Sequence, residues 1–110
     1  MIEATCDCGA VRMEIEHLPV ELYDCPCDYC QRIGALWAYY PLATVRLFCA
    51  PGATQTCQRG PRRLEFRTCR GCGCTTHWIR VNPPGPIIGV NARMMPKAVR
   101  ATIPVRMGEA

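Results

Sequence analysis

The chain has 110 residues, ten of them cysteine, and a formal charge of +4. This length suits a single domain over residues 1–110 and leaves little room for a second. No apolar run approaches the roughly 20 residues that cross a bilayer, and the first residues lack the basic and apolar regions of a secretory signal. We therefore expect a cytoplasmic protein with no membrane partner. Composition does not predict its oligomeric state.

Ten cysteines could form a disulfide framework or bind metal ions. A reducing cytosol and the close C-x-C and C-x-x-C pairs favour metal ligation. Zinc-bound cysteines are thiolates, so seven of them on two Zn²⁺ ions would lower the formal charge by about three units. The metallated chain would then be close to neutral, which removes most of the charge argument for nucleic acid as a partner.

Short strands separated by glycine and proline turns are predicted along nearly the whole chain. The predicted strands cover residues 2–8, 10–16, 20–24, 36–40, 44–48, 54–57, 63–67, 76–81, 87–91 and 99–105. Residues 28–32 predict one helical turn before Gly34, residues 59–61 a hairpin connection, and residues 82–86 an irregular loop. The pattern indicates a mainly β fold without a long helix.

Two outer cysteine pairs have the spacing of a closed metal site. Cys6 and Cys8 would point the same way from one strand, because residues i and i+2 share a face. Cys69 and Cys72 enclose Gly71 and precede Gly73, and these glycines free the backbone for a tight turn. Four such ligands form a structural zinc site, which would stabilise a small fold by joining distant segments.

The central group, Cys25, Cys27 and Cys30, then remains as a set of three. Three protein ligands and one exchangeable position are typical of catalytic zinc. The open position can hold water or a thiol, whose pKa zinc lowers. We predict these three cysteines as catalytic metal ligands. Two alternatives stay open: a fourth ligand from Cys57, Cys74 or His77, or an exchange of pairs that puts Cys6 and Cys8 with the central group.

Three further cysteines, a histidine and an aromatic run lie outside these two groups of ligands. Cys49 and Cys57 lie outside any ligand spacing and are interpreted as small buried apolar residues. Cys74 could pack, ligate or act as a redox partner, and His77 is interpreted as a hydrogen-bonded strand histidine. The aromatic run at residues 36–40 is predicted to form core or a pocket wall.

An arginine-rich segment approaches the third cysteine group, and it is interpreted first as a solvated hairpin surface. The arginines are Arg59, Arg62, Arg63, Arg67 and Arg70. The alternative is recognition of carboxylates, to which the planar guanidinium fork is suited. Asn91 and Arg93 are further candidates for that recognition.

The cysteine groups resemble those of the glutathione-dependent formaldehyde-activating enzymes, a family that includes the centromere protein V domain. The matching segments are residues 6–12 (CDCGAVR), 25–32 (CPCDYCQR) with Gly34 and Ala35, 69–73 (CRGCG) and 90–93 (VNAR). The resemblance implies an Mss4-like fold of several short twisted antiparallel sheets held together by zinc.

The resemblance also implies a site for each metal and a reaction. It implies structural zinc on Cys6, Cys8, Cys69 and Cys72, and a second zinc on Cys25, Cys27 and Cys30 with the glutathione sulfur as fourth ligand. The implied reaction adds the glutathione thiol to formaldehyde and gives S-hydroxymethylglutathione, formally as a carbon–sulfur lyase. Small thiol and aldehyde substrates are therefore the expected partners. The alternative functions are a non-catalytic zinc module that binds another protein and, last, a nucleic-acid-binding hairpin.

Overall fold

The computed structural model describes residues 1–58 and 63–108, which form two β-sheets and short helical segments. The strands are β1 (Ile2–Thr5), β2 (Arg12–Ile15), β3 (Leu22–Asp24), β4 (Trp37–Pro41), β5 (Val45–Phe48), β6 (Thr54–Gln58), β7 (Leu64–Cys69), β8 (Thr75–Val81), β9 (Pro84–Asn91) and β10 (Val105–Met107). The helices are α1 (Asp28–Ile33) and α2 (Lys97–Arg100), with 3₁₀ turns at Leu42–Thr44 and Ala92–Met94. Neither α1 nor α2 has the length and apolar character needed to cross a bilayer.

The smaller sheet has the strand order β1-β2-β5, and the larger has the order β10-β3-β4-β9-β8-β7-β6. The pairs are antiparallel except for β10 and β3, which run parallel with Val105 opposite Leu22. The mainly β prediction and the Mss4-like fold are confirmed, and the parallel pair is a detail that the pattern did not predict. The predicted hairpin connection at residues 59–61 lies outside the described residues.

The main core lies between the two sheets, and strand alternation explains its composition. On β2, Met13 and Ile15 are fully buried, whereas Arg12 and Glu14 face outward and form an ion pair at 2.9 Å. On β4, Ala38 and Tyr40 join this core, whereas Tyr39 between them points to the opposite side. The core is thus built from the inner faces of both sheets, as period-two alternation requires.

The opposite side of the larger sheet carries a continuous set of rings, which we call the aromatic face. Its members are Tyr23, Trp37, Tyr39, Phe66 and Trp78. Neighbouring ring centroids in this set are 5.7 to 6.4 Å apart, a spacing typical of tilted and edge-to-face pairs. Helix α1 covers part of the face through Tyr29, Cys30 and Ile33. The prediction that the aromatic run forms core and pocket wall is confirmed.

Two predicted segments differ from the structure near the end of the chain. The prediction of an irregular loop at residues 82–86 is wrong, since β9 begins at Pro84, opposite Val81. Strand β4 ends at Pro41 opposite Ile87, so residues 84–86 have β8 as their one strand neighbour among the described residues. Proline's missing N–H is tolerated at such a locally unpaired edge.

The strand predicted at residues 99–105 is also wrong. Val99 lies in α2, where the N–H groups of Val99 and Arg100 donate to the Pro96 carbonyl at 3.0 Å. Proline has the backbone angle of a first helical turn, and the lysine, alanine and arginine that follow favour a helix. The strand is displaced to β10, where it pairs with β3.

Close packing beneath Trp78 gives a stability prediction for Gly89. A Cβ on Gly89 would lie 2.1 Å from Cε2 and Nε1 of the Trp78 indole. We expect Gly89→Ala to lower the free energy of unfolding by about 1–3 kcal/mol, because the rigid ring must move. In the control Gly85→Ala, the new Cβ meets the flexible Arg80 stem, with Cδ at 2.8 Å. Urea denaturation of both variants measures the difference, and equal losses would contradict the packing argument.

Candidate functional site

Four cysteines from the first and third groups meet at one point, and we call them the four-cysteine cluster. Their Sγ atoms all lie within 4.8 Å of one another, and the members are Cys6, Cys8, Cys69 and Cys72. The Sγ of Cys8 is 3.7 Å from that of Cys6 and 3.6 Å from that of Cys69. A tetrahedron with Zn–S bonds of about 2.3 Å places its sulfurs about 3.8 Å apart. The cluster therefore fits a Zn²⁺ ion, and all ten cysteines are free of disulfides.

The two halves of this cluster are turns of similar construction. Gly9, with φ of 80°, donates its N–H to the Cys6 carbonyl at 3.1 Å, and the Cys6 N–H bonds to Val11. Gly73, also with φ of 80°, donates to the Cys69 carbonyl at 2.9 Å. The predicted strand through Cys8 is therefore wrong, because β1 ends at Thr5. The sulfurs converge through a glycine-dependent turn rather than through the shared face of a strand.

Hydrogen bonds and neighbouring thiols give the cysteines of this cluster very different pKa values. The backbone N–H groups of Cys74 and Cys8 hold the pKa of the Cys72 thiol down to about 6. The Ala10 N–H lowers the pKa of Cys8, but the thiols of Cys69 and Cys6 outweigh it and raise that pKa to about 12. Neighbouring thiolates repel one another, so they do not all ionise easily. A divalent cation bound between them would compensate their negative charges.

The central group forms a second cluster, the three-cysteine cluster of Cys25, Cys27 and Cys30. Its three Sγ atoms lie within 4.8 Å of one another. Cys25 follows β3, and Cys27 is the N-cap of α1, where its Sγ accepts the Cys30 N–H at 3.3 Å. The predicted helical turn is confirmed, and it returns Cys30 to the side of Cys27. Gly34, in the left-handed conformation, ends the helix.

The Trp37 side chain reaches this cluster from the aromatic face. Its indole N–H donates to the Cys30 Sγ at 3.3 Å, and the ring is 2% exposed. Burial raises the pKa of Cys30 to about 12 despite this bond. Burial is the largest single influence on the Cys27 thiol and acts to raise its pKa, but hydrogen bonds from the backbone N–H of Cys30 and from the neighbouring thiols together lower that pKa. This role of Trp37 was not predicted from the sequence, although a buried indole N–H usually has a hydrogen-bond partner.

Two amides hold the segments around the three-cysteine cluster. Gln31 donates to the Cys25 carbonyl at 2.7 Å and to Asp24 at 2.9 Å, a role for which no sequence signal exists. Asn91 is buried, accepts N–H bonds from Leu36 and Arg93, and donates to the Thr75 carbonyl. The suggestion that Asn91 recognises a carboxylate is wrong, because its side chain is buried and its amide is hydrogen-bonded to these backbone groups.

The alternative ligands for the central group lie elsewhere in the structure. Cys74 packs beside the four-cysteine cluster, and Cys57 is exposed on edge strand β6. His77 is buried with its Nδ1 2.8 Å from the Thr76 hydroxyl, as a hydrogen-bonded strand histidine should be. In the described ranges, no further Cys, His, Asp or Glu atom joins the three sulfurs.

Other predicted surface features are partly corrected. Cys49 and Cys57 are exposed, so their interpretation as buried apolar residues is wrong. Both belong to sheet edges: Cys49 follows β5, and Cys57 lies on β6. Of the arginines near Cys69, Arg59 and Arg62 lie outside the described residues. Arg63 and Arg70 are exposed, and Arg67 pairs with Glu65 at 2.8 Å, as in a solvated hairpin surface.

The buried His77 leads to a pH prediction. Burial, and then the Arg67 charge, lower its pKa from 6.5 to about 4. Below about pH 6.5 the unfolded chain therefore binds a proton that the folded chain excludes, and stability should fall until about pH 4. The full loss is about 3 kcal/mol. Urea denaturation across this range should give a flatter pH dependence for His77→Gln than for the wild type, and parallel curves would contradict it.

Comparison with known proteins agrees with this combination of a mainly β Mss4-like fold and two cysteine clusters that could bind metal ions. Residues 1–106 match the family described as glutathione-dependent formaldehyde-activating enzyme. The chain belongs to this family, whose described activity involves a small thiol and an aldehyde.

A solved structure is similar to this chain in sequence and in fold. It is the crystal structure of a Rhodobacter sphaeroides protein, a Northeast Structural Genomics target, with 30% sequence identity and a TM-score of 0.76. The match covers 96% of this chain and 100% of that chain. A search of curated proteins found no match.

Proposed function

We propose that this protein is a zinc-dependent enzyme of the carbon–sulfur lyase type, which adds glutathione or a similar small thiol to formaldehyde or a related aldehyde. The observation that carries the proposal is the three-cysteine cluster. In the described part of the chain, three sulfurs converge and no fourth ligand atom accompanies them. Such a set leaves one coordination position for a substrate. The family membership supports glutathione and formaldehyde as the substrates.

The proposal gives the two clusters different roles within one cytoplasmic domain of residues 1–110. The four-cysteine cluster would hold a structural Zn²⁺, since its sulfur separations suit a closed tetrahedron. Cys25, Cys27 and Cys30 would hold the catalytic Zn²⁺. When bound there, this ion would lower the pKa of a substrate thiol, so that a thiolate is available at neutral pH.

The chain's own residues keep the three sulfurs in place. The Trp37 indole N–H holds the Cys30 sulfur, and the Cys30 backbone N–H holds that of Cys27. Gln31 ties the carbonyl of Cys25 to the helix. Cys27 is exposed whereas Cys30 is buried, so the cluster opens to solvent on the Cys27 side. A substrate would approach from that side.

The proposed reaction is an addition in which no redox change occurs. The thiolate sulfur attacks the carbonyl carbon of formaldehyde, and a carbon–sulfur bond forms as the π bond of the carbonyl breaks. The carbonyl oxygen takes up a proton and becomes the hydroxyl of S-hydroxymethylglutathione. The thiol gives its proton to solvent when it ionises, so protons balance over the reaction. Orientation of both reactants is the contribution expected from the protein.

Replacement of Cys27 by alanine tests this proposal. We expect the wild type to hold two zinc ions per chain by elemental analysis, and Cys27→Ala to hold one. We expect the variant to lose at least about 100-fold of the rate of adduct formation, measured by exchange NMR above the uncatalysed background. Cys49→Ala, an exposed cysteine outside both clusters, is the matched control and should keep both zinc ions and the rate.

Two outcomes would contradict the proposal. Full turnover by a Cys27→Ala protein that lacks the second zinc would show that the cluster does not carry the reaction. A wild type that holds zinc but neither responds to glutathione nor turns over would leave the alternative, a non-catalytic zinc module that binds another protein.

A further inference from the structure

An open groove lies on the part of the aromatic face that α1 leaves uncovered. It has a volume of about 700 Å³ and is lined by Tyr39, Trp78, Arg80 and residues 84–87. Tyr39 is 47% exposed although its neighbours on β4 are buried, so its ring is available to a ligand. Aromatic walls with a single charged group are typical of small-molecule sites.

Packed rings of the aromatic face connect the groove with the three-cysteine cluster. Trp37 donates to the Cys30 Sγ at 3.3 Å, and its ring centroid is 6.4 Å from that of Trp78. Trp78 in turn lies 5.8 Å from Tyr39, centroid to centroid, and both line the groove. The groove and the cluster therefore lie along the same aromatic face, on either side of the buried Trp37 ring. A three-residue peptide spans about 10 Å when extended, so its sulfur and its far carboxylate can contact separate parts of one face.

Arg80 gives the groove a positive charge that no carboxylate of residues 1–58 or 63–108 neutralises. Its aliphatic stem packs over Gly85, where a Cβ would meet Cδ at 2.8 Å. In the described part of the chain, no carboxylate lies within ion-pair distance of its guanidinium. Arg106, near the other end of the aromatic face, is already paired with Glu21 at 3.0 Å. An unpaired guanidinium beside apolar walls is suited to bind a carboxylate.

A cavity beside the four-cysteine cluster is less suited to an anionic thiol. It has a volume of about 520 Å³, and its lining includes the carboxylates of Glu3 and Asp7 together with Arg93. Two carboxylates there would repel a ligand that itself carries carboxylates, and the Arg93 Nε is bound to the Gly34 carbonyl at 2.9 Å. The charge distribution thus favours the groove on the aromatic face.

We propose that this groove binds the peptide body of the thiol substrate, with Tyr39 and Trp78 against its backbone and the Arg80 guanidinium on one of its carboxylates. This inference rests on the proposed function, because it takes glutathione as the thiol. It assigns substrate selection to residues that lie outside the cysteine motifs. Thiols without a carboxylate would lose the Arg80 contact and bind more weakly.

Intrinsic tryptophan fluorescence provides the test, because the two tryptophans of the chain both belong to the aromatic face. The zinc-loaded protein is titrated with glutathione and with S-methylglutathione, which has the same peptide body but no free thiol. We expect both ligands to change the emission. Arg80→Gln should raise both dissociation constants about tenfold, and Tyr39→Ala about fivefold. Tyr39→Phe keeps the ring and should bind as the wild type does.

Arg46→Gln is the matched control, because Arg46 is an exposed arginine on β5 of the other sheet. Wild-type affinity in Arg80→Gln and Tyr39→Ala would overturn the assignment. So would a change in sedimentation of these variants at unchanged thiol affinity, since the groove would then be an interface between copies of the chain.

The same variants separate this inference from the proposed reaction. Turnover with an unchanged KM for glutathione in Arg80→Gln would overturn the groove assignment and leave the reaction intact. A wild type that binds S-methylglutathione in the groove but has no turnover would overturn the reaction and leave the groove.

Discussion

Cys69→Ala is expected to leave the chain unfolded at room temperature and short of one zinc ion. Cys69 is 1% exposed, and its Sγ lies 3.6 Å from that of Cys8, a residue 61 positions away. On the proposed assignment, the cluster joins the turn after β1 to the end of β7. Apparent binding free energies of structural zinc are about 10–16 kcal/mol, whereas a whole domain is stable by about 5–15 kcal/mol. Loss of the ion can therefore remove all of the stability.

Far-UV circular dichroism during heating, with zinc content measured on the same sample, tests this expectation. The control Cys49→Ala removes a thiol outside both clusters, and it should melt as the wild type does with two zinc ions. A cooperative transition of Cys69→Ala within a few degrees of the wild type would contradict a stabilising metal at this cluster. Retention of two zinc ions would contradict the ligand assignment itself.

Trp37 is expected to give the second largest effect, because it supports the aromatic face and also bonds to a cysteine. Trp37→Ala should lower the free energy of unfolding by about 3–5 kcal/mol, the cost of removing a buried indole. Trp37→Phe keeps most of the ring contacts with Phe66 and Trp78 but loses the N–H that donates to Cys30. Trp37→Phe should weaken metal binding at the three-cysteine cluster roughly tenfold, because loss of the hydrogen-bond partner of a metal ligand typically has an effect of this size.

Urea denaturation measures the first effect, and competition with a chromophoric zinc chelator measures the second. Cobalt substitution gives a further readout, since a change at the Cys30 sulfur should shift the thiolate-to-metal absorption bands. Trp78→Phe is the matched control, because it removes the other indole from the same face, and among the described residues no hydrogen bond joins Trp78 to a cysteine. If Trp37→Phe and Trp78→Phe retain metal equally well, the N–H bond to Cys30 does not tune the cluster.

Short-range signals made much of this structure predictable from the sequence. The alternation of residues 12–15 is enough to place Met13 and Ile15 inside, because burial in a strand has a period of two. The cysteine spacings, with the glycines that follow them, favour the two observed groups of sulfurs, although spacing alone also allows Cys6 and Cys8 to join the central group. The helical turn at α1 follows from Pro26 before it and Gly34 after it.

Features that depend on distant neighbours could not be predicted in this way. Pro84 predicts a break in a strand when only its own segment is considered, but its position beyond the end of β4 leaves its missing N–H without a strand partner to lose. The exposure of Cys57 depends on β6 being an edge strand, a property of sheet order. The Trp37 bond to Cys30 depends on how the aromatic face packs under α1, and neither residue's local sequence encodes it.

The separation of the clusters along the chain has a consequence for synthesis on the ribosome. The three-cysteine cluster lies within residues 25–30, whereas the four-cysteine cluster needs residues 61 positions apart. Ribosomes add about 5–20 residues per second. Cys69 and Cys72 are therefore synthesised several seconds after Cys6 and Cys8, at a time when all three cysteines of the central cluster are already present in the chain. On the proposed metal assignment, the nascent chain can acquire its catalytic ion before its stabilising one, and the order of metal loading follows the order of translation.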